Sequence, residues 1–564
     1  MENITRFLYD FSSLHPDKPA LLHPFRVTFR ELCRLTDAYA AGFSRSGISK
    51  GCRIVVLIRP GIDLFAVVFA LLRIGAIPVL IDPGMGIRAM VRVLSAVKAE
   101  AFAGTTKAHW LRLLFPHAFQ TIRVAVSTGM PLFRGDGSLQ KYRKSRNSSY
   151  TLSLSAPDDV AAVFFTSGST GPAKAVVYSN AMVEAQMQYL LSHFRYSPDD
   201  MDLCTFPLIG LLVINLGLSI VLADMDMTHP AALKPWKLLA NIRQYGCTTM
   251  FCSPMVLKKL SGYAKAHSLK IDSLQKVFTA GAPVPPGLLH DFKRLLPAGA
   301  VIHTPYGSTE ALSVTDATDV ELWQAYGDTN GYLQGTCIGR PLDGIRLRLI
   351  PVSDDAIENM EGVKEVNPGE VGEITVYGPN VTQNYLNNDA ANRLSKIREG
   401  DLPFLWHRTG DLGRRDPAGR LWFCGRKSQR VITLTRVYFT IPCEEVFNRH
   451  PAVERSALVG IRTPASGEHA FLRHGRILPR RKRKTESGGL TDTGAVPVVC
   501  IEMKRGFKKS ELLRNELVAL ARENEVTSGI DLILFHKKFP VDPRHNAKIF
   551  REKLAVWAQK RTKK

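Results

Sequence analysis

The strongest constraint on the fold is an alternation. Short runs rich in β-branched and aromatic residues stop at Gly, Pro or Ser, and stretches of helical period lie between them. Val160–Phe165, Val301–His303, Ile345–Leu349 and Glu373–Tyr377 read as strands, and Arg88–Val97 and Ala181–Phe194 as helices. Such alternation predicts an α/β architecture with mixed α+β parts. At about 150 residues per domain, a chain of 564 residues has room for three or four structural units. Two long apolar runs test a membrane reading. Leu64–Ile81 is broken by Arg73, Gly75 and Pro78, and Leu208–Ala223 contains Asn215. A bilayer span needs about 20 apolar residues in a row, so both are expected as buried helix and strand. The start of the chain lacks a basic segment followed by an apolar one, so no secretory signal is expected.

The C-terminal quarter reads as a small α+β module. Ser510 is an N-cap for a helix to Glu523, with Leu513, Leu517, Leu520 and Ala521 on one stripe. Val498–Met503 and Asp531–Phe535 flank it as strands. Ahead of this helix, Arg473–Lys484 has seven Lys and Arg and no acid, and the chain then turns polar and rich in Gly and Thr. Such a stretch buries too little apolar surface to offset ordering entropy. A disordered basic insertion is expected at about 466–497.

Charge is uneven. The chain has 74 Lys and Arg against 51 Asp and Glu, or +23. From Arg426 to Lys564 there are 30 basic and 14 acidic residues, so most of the excess sits there. This favours acidic partners, with peripheral contact to an anionic membrane among them; nucleic-acid binding is not expected. Nine cysteines are scattered without CxxC spacing. Neither a disulfide framework nor a zinc site is indicated, which fits a reducing, cytoplasmic setting.

The chemistry begins at Phe164–Lys174. A strand runs into Thr166, Ser167, Gly168, Ser169, Thr170 and Gly171, closed by Lys174. Glycines let a backbone approach phosphate, successive N–H groups and hydroxyls donate to it, and the lysine adds a point charge. The Walker spacing is not met. An ordinary polar loop has similar composition, so the order of the residues matters more. Further on come Gly281-Ala282-Pro283, then Pro305-Tyr306-Gly307-Ser308-Thr309-Glu310, then His407-Arg408-Thr409-Gly410-Asp411 and Gly425-Arg426-Lys427-Ser428, and last Asn546-Ala547-Lys548. An aromatic face, a hydroxyl and a hard carboxylate within five residues suit a magnesium nucleotide.

In this order the motifs resemble those of the adenylate-forming superfamily of acyl-CoA synthetases, luciferases and adenylation domains. Departures are Ala173, Ala175, Ser428 and Ala547, where the family pattern has Pro, Gly, an acid or lysine, and Gly. The resemblance implies a large N-terminal domain, 1–425, that holds ATP and the acyl substrate, a hinge at 426–428, and a small mobile lid domain, 429–564. It implies that Gly281, Ala282 and Pro283 border adenine and that Tyr306 stacks on it, with Gly307 and Ser308 beside it. Thr309 is implied to contact phosphate, Glu310 to help hold Mg²⁺ with the ATP phosphates, Asp411 to accept from the ribose hydroxyls, and Arg426 to line the nucleotide site. Lys548 is implied to bridge the attacking carboxylate and the α-phosphate.

The branch is read from other details. Thioester-forming members often carry a glycine after the hinge, but Val431–Thr440 has none. Phe206–Leu208, Met225–Ala231, Gly335–Pro341 and Val541–Ile549 resemble the β-lactone-forming enzymes of bacterial long-chain olefin biosynthesis. That resemblance implies ATP-dependent adenylation of a 2-alkyl-3-hydroxy fatty acid, whose own 3-hydroxyl then closes the lactone. It also implies a β-lactone decarboxylase and a ketone reductase as pathway neighbours. The alternative is a long-chain fatty acyl-CoA ligase. His303, just before Tyr306, is expected to be a packed histidine rather than a base.

Overall fold

The computed structural model describes residues 3–145, 149–165, 173–328, 335–462, 471–473, 476–478, 494–541 and 549–562. Two seven-stranded sheets are built on one plan. The first runs 137–138, 124–127, 101–104, 53–57, 77–80, 160–165, 175–179, parallel except for its last strand. The second runs 301–303, 276–279, 249–252, 201–204, 219–222, 19–21, 27–28, with only its last strand antiparallel. Parallel strands need crossover helices, which explains the alternation in the sequence.

The two long apolar runs resolve as expected. The first becomes helix Ile62–Arg73 followed by strand Ile77–Leu80; the second becomes helix Pro207–Asn215 followed by strand Ser219–Leu222. Every residue from Leu64 to Leu71 is buried. A helix that is apolar all round belongs inside a core, here the one shared by both sheets. Among the described residues, no helix is long and apolar enough to cross a membrane.

A third, mostly antiparallel sheet runs 306–308, 311–316, 336–341, 421–426, 406–415, 372–377, 346–350, with 396–397 paired to 406–415. After Arg426 a short turn, Lys427–Gln429, leads to a separate three-stranded sheet of Val453–Ile461, Val496–Met503 and Leu532–Phe535. Helices Thr440–Asn448, Glu511–Glu523 and Arg551–Thr562 accompany it. Ser510 caps the second of these by accepting from Leu513 N. Leu513, Leu517 and Ala521 are buried and Leu520 packs half-buried against them.

Most of 466–497 lies outside the described residues. Two pieces within it depart from the sequence reading. Phe471–Arg473 and Arg476–Leu478 pair as an antiparallel ladder, and the strand after the segment starts at Val496 rather than Val498. The Phe-Leu and Ile-Leu pairs of these two strands supply β propensity that the surrounding charge obscures. All nine cysteines are free thiols, eight of them buried.

One close crossing ties the strands of the third sheet. Gly339 has φ +77, and a Cβ there would lie 1.8 Å from the Asp316 carbonyl oxygen. Only glycine meets both conditions. Gly339→Ala is expected to destabilise the chain by about 2–5 kcal/mol, from left-handed strain plus overpacking. The check is the midpoint of urea unfolding, and an unchanged midpoint would contradict it.

Candidate active site

The motif residues converge from the edges of the three sheets. Strands Lys276–Thr279 and Val301–His303 are parallel neighbours, so Gly281–Pro283 and the Tyr306 segment leave the same carboxyl edge side by side. That edge is where open α/β sheets bind ligands. Gly281 has φ +90, which turns the chain sharply out of its strand. Gly307 lies where a Cβ would stand 2.6 Å from the Ala311 carbonyl oxygen, so strands Tyr306–Ser308 and Ala311–Asp316 close only over a glycine. The Ser308 hydroxyl accepts from Glu310 N at 3.2 Å and fixes the turn.

Asp411 and Arg426 face each other across the antiparallel pair Trp406–Arg415 and Leu421–Arg426. Arg426 Nε is 3.1 Å from Asp411 Oδ1, and the Tyr306 hydroxyl donates to Asp411 Oδ2 at 2.8 Å. Asp411 raises the Arg426 pKa, against its burial. Burial, and then the Asp411 charge and hydrogen bond, push the Tyr306 phenol well above its ordinary value. A carboxylate fixed by a guanidinium and a phenol is a good acceptor for a vicinal diol.

A second cluster surrounds Glu310, and the sequence reading missed most of it. Tyr385 donates to Glu310 Oε1 at 2.7 Å. Lys174 Nζ lies 4.8 Å and Lys396 Nζ 5.7 Å from the centre of the Tyr385 ring. Lys396 donates to the carbonyl of Thr382, and to its hydroxyl at 3.0 Å. Thr382 N in turn donates to the Glu310 carbonyl at 2.9 Å. The Tyr178 hydroxyl donates to the Thr309 carbonyl at 2.7 Å. The segment from Val381 to Leu386 makes this possible: it bridges to Ala311 at one end, and Leu386 N donates to Ala175 O at the other. No motif announced Tyr385 or Lys396. A lone lysine in the two-residue strand Lys396–Ile397 carries no signal of its own.

Burial lowers the Lys396 pKa to about 7, with Glu310 opposing and Lys174 reinforcing the shift. Burial, aided by the Lys396 charge, also holds His407 well below the usual histidine value. His303 is a packed residue: Nδ1 is 2.6 Å from Asp316 Oδ2, and the ring stacks on Phe278 at 5.1 Å. His193 shares that carboxylate oxygen at 3.2 Å. Thr166, Ser167, Gly168, Ser169, Thr170, Gly171 and Lys548 lie outside the described residues.

The AMP-binding enzyme family matches residues 9–386, and the chain belongs to it. It is an adenylate-forming enzyme of mixed α/β fold. Among its relatives, an olefin beta-lactone synthetase of Xanthomonas campestris pv. campestris is 38% identical over 537 residues, covering 94% of this chain and 91% of the relative. One from Stenotrophomonas maltophilia is 38% identical over 574 residues, covering 99% and 98%. Among solved structures, amide bond synthetase McbA from Marinactinospora thermotolerans superposes with a TM-score of 0.76 at 20% identity, covering 98% of this chain and 99% of its own. O-succinylbenzoate coenzyme A synthetase from Bacillus subtilis, in complex with ATP and magnesium, gives 0.74 at 18%, covering 97% and 98%. These structures share the fold.

Lys396 makes a pH-dependent contribution to stability. Between pH 7 and the ordinary lysine range the unfolded chain holds this proton and the folded chain does not. Stability from this site therefore rises with pH across that window, and the penalty of burying the cation is fully present below it. The Tm of the native chain minus that of Lys396→Met is expected to increase from pH 6.5 to pH 9.5. A flat or falling difference would contradict the assignment.

Proposed function

We propose that the chain is an ATP-dependent β-lactone synthetase acting on 2-alkyl-3-hydroxy fatty acids in long-chain olefin biosynthesis. The observation that carries this reading is the identity of 38% over nearly the whole chain to two relatives named olefin beta-lactone synthetase. The substrate carboxylate attacks the α-phosphorus of ATP, and diphosphate leaves. The 3-hydroxyl oxygen of the acyl-adenylate then attacks the acyl carbon, gives up its proton, and AMP departs as the four-membered ring closes. Because the second nucleophile is tethered, proximity replaces capture of a separate thiol.

In this reading Tyr306 and Gly281–Pro283 border the adenine, Asp411 accepts from the ribose hydroxyls, and Arg426 holds the Asp411 carboxylate in place. Lys174 and the loop from Thr166 to Gly171 take the phosphates, with Thr309 beside them. Glu310 suits Mg²⁺: its carboxylate is a hard oxygen donor held in place by Tyr385. Mg²⁺ characteristically keeps most of its ligands from phosphate and water, so one or two protein carboxylates suffice. When bound, Mg²⁺ would offset charge on the phosphates. The segment after the hinge is also in keeping with a tethered nucleophile. Val431–Ile432 and Val437–Tyr438 form a hairpin whose tip presents Leu434, 66% exposed, where a glycine would leave space.

The break at Arg426–Ser428 is taken as the pivot between a large unit, 1–425, and a lid, 429–564. Rotation about it would bring Lys548 to the developing charge, an effect of about 10²–10³ in rate. Lys548→Ala is expected to slow ATP–pyrophosphate exchange about 100-fold with Tm unchanged, and exchange at the native rate would remove Lys548 from the step. The deciding experiment supplies ATP, Mg²⁺ and a racemic 2-alkyl-3-hydroxy fatty acid with and without CoA, and identifies products by NMR and mass spectrometry. A β-lactone formed without CoA, alongside AMP and diphosphate, is the expected outcome. A thioester that appears only with CoA, and no lactone, would make the chain an acyl-CoA ligase.

A further inference from the structure

The helix Thr106–Leu114 is apolar on both sides, with Ala108 and Leu111 packed against the core beneath it. Its inner side is sealed by His109, fully buried and bonded to the Val126 carbonyl at 3.2 Å, and by Arg112, which pairs with Asp136 at 2.7 Å. Its outer side, where polar residues belong, carries Trp110, Leu113 and Leu114, 52%, 50% and 66% exposed. Met130, 79% exposed, extends this face, because its carbonyl accepts from the Thr106 hydroxyl at 3.1 Å. Exposed Lys107, Arg123 and Arg134 lie on the same helix and the neighbouring loops. From Ala101 to Gly135 the chain has four Lys and Arg and no Asp or Glu.

We propose that this face docks the enzyme on an anionic phospholipid bilayer, with Trp110, Leu113, Leu114 and Met130 entering the interface and Lys107, Arg123 and Arg134 meeting headgroups. A large apolar patch on a soluble surface marks an interaction site. Apolar side chains including a tryptophan, with exposed cations beside them and the adjoining acids Asp136 and Glu100 paired to Arg112 and Arg53, are the composition of a helix that lies in a membrane interface. Charge complementarity argues against a second copy: a two-fold contact would set the same basic residues against one another. The patch also has a defined place in the fold. Strands Ala101–Gly104 and Val160–Phe165 are parallel members of one sheet, three positions apart, or about 14 Å at ~4.8 Å per strand. The helix and the loop closed by Lys174 therefore leave the same edge. A substrate with two alkyl chains partitions into bilayers at about 0.8 kcal/mol per buried CH₂, so docking on this face would hold the enzyme at the surface that holds its substrate. That link to supply rests on the proposed function; the docking does not.

The test is co-sedimentation of the full chain with vesicles of phosphatidylcholine alone and of phosphatidylcholine with phosphatidylglycerol. The native chain is expected to bind the anionic vesicles at least tenfold more tightly. Leu113→Glu with Leu114→Glu is expected to lose at least tenfold of that affinity with Tm unchanged. Lys107→Gln with Arg134→Gln, which keeps the apolar face, is expected to lose about tenfold on anionic vesicles only. Trp110→Phe should remove most of the fluorescence quenching caused by brominated lipid. Native binding retained by both double variants would place the contact elsewhere, for instance on the basic C-terminal residues, and overturn the proposal. So would a native chain that ignores vesicles, or one that forms a dimer that the glutamate variant dissociates.

Discussion

One buried carboxylate sets the frame on which the site is assembled. Glu373, fully buried on the strand Gly372–Tyr377, accepts from Arg408 at 2.6 Å on the neighbouring strand and lies 3.0 Å from Lys427 just beyond the third sheet. Arg408 also donates to the carbonyls of Ser353 and Asp355. A buried acid with two cations is no gain over a well-packed apolar core, but removing one member strands charge at a cost of about 3–5 kcal/mol. It therefore acts on register. It fixes strand Trp406–Arg415, and so the position of Asp411 three residues on. It also pins the chain at Lys427, immediately after Arg426. The two charged residues beside Tyr306 are held from both sides by an acid that touches neither.

The outline of the fold was legible because it depends on local patterns. Strand Val160–Phe165 and strand Val301–His303 match their readings residue for residue, and Ile345–Leu349 is displaced by one residue to Arg346–Ile350. Hydrophobic period and turn residues carry that information within a few positions. Tyr306, Glu310, Asp411 and Arg426 were legible for another reason: each sits in a short motif whose residue types suit a nucleotide. Tyr385, Lys396 and Tyr178 were not. Their roles exist only because Val381–Leu386 spans from Ala311 to Ala175, and a long-range bridge leaves no period in the sequence.

That bridge gives the site its electrostatic character. Lys174, Lys396 and Arg426 gather around Tyr385 and two carboxylates, Glu310 and Asp411. The carboxylates are bonded to Tyr385, Tyr306 and Arg426, and the three cations outnumber them by one. A cluster of this kind favours a polyanion. Lys396 is the exception. Its burial draws its pKa down toward neutrality, so its charge is the least secure of the three. It serves the site through the Thr382 carbonyl rather than by reaching toward a ligand.

A similar logic governs the step after adenylation. An acyl-adenylate needs a nucleophile, and a separate thiol must bring both an entrance and binding energy. A 3-hydroxyl two carbons from the acyl carbon needs neither, since tethering supplies the effective concentration. The strain of a four-membered ring is then met by expulsion of AMP, a far better leaving group than hydroxide. Side chains at the hairpin tip Leu434–Thr435 cost such a reaction nothing, although they would narrow a path for a thiol arm.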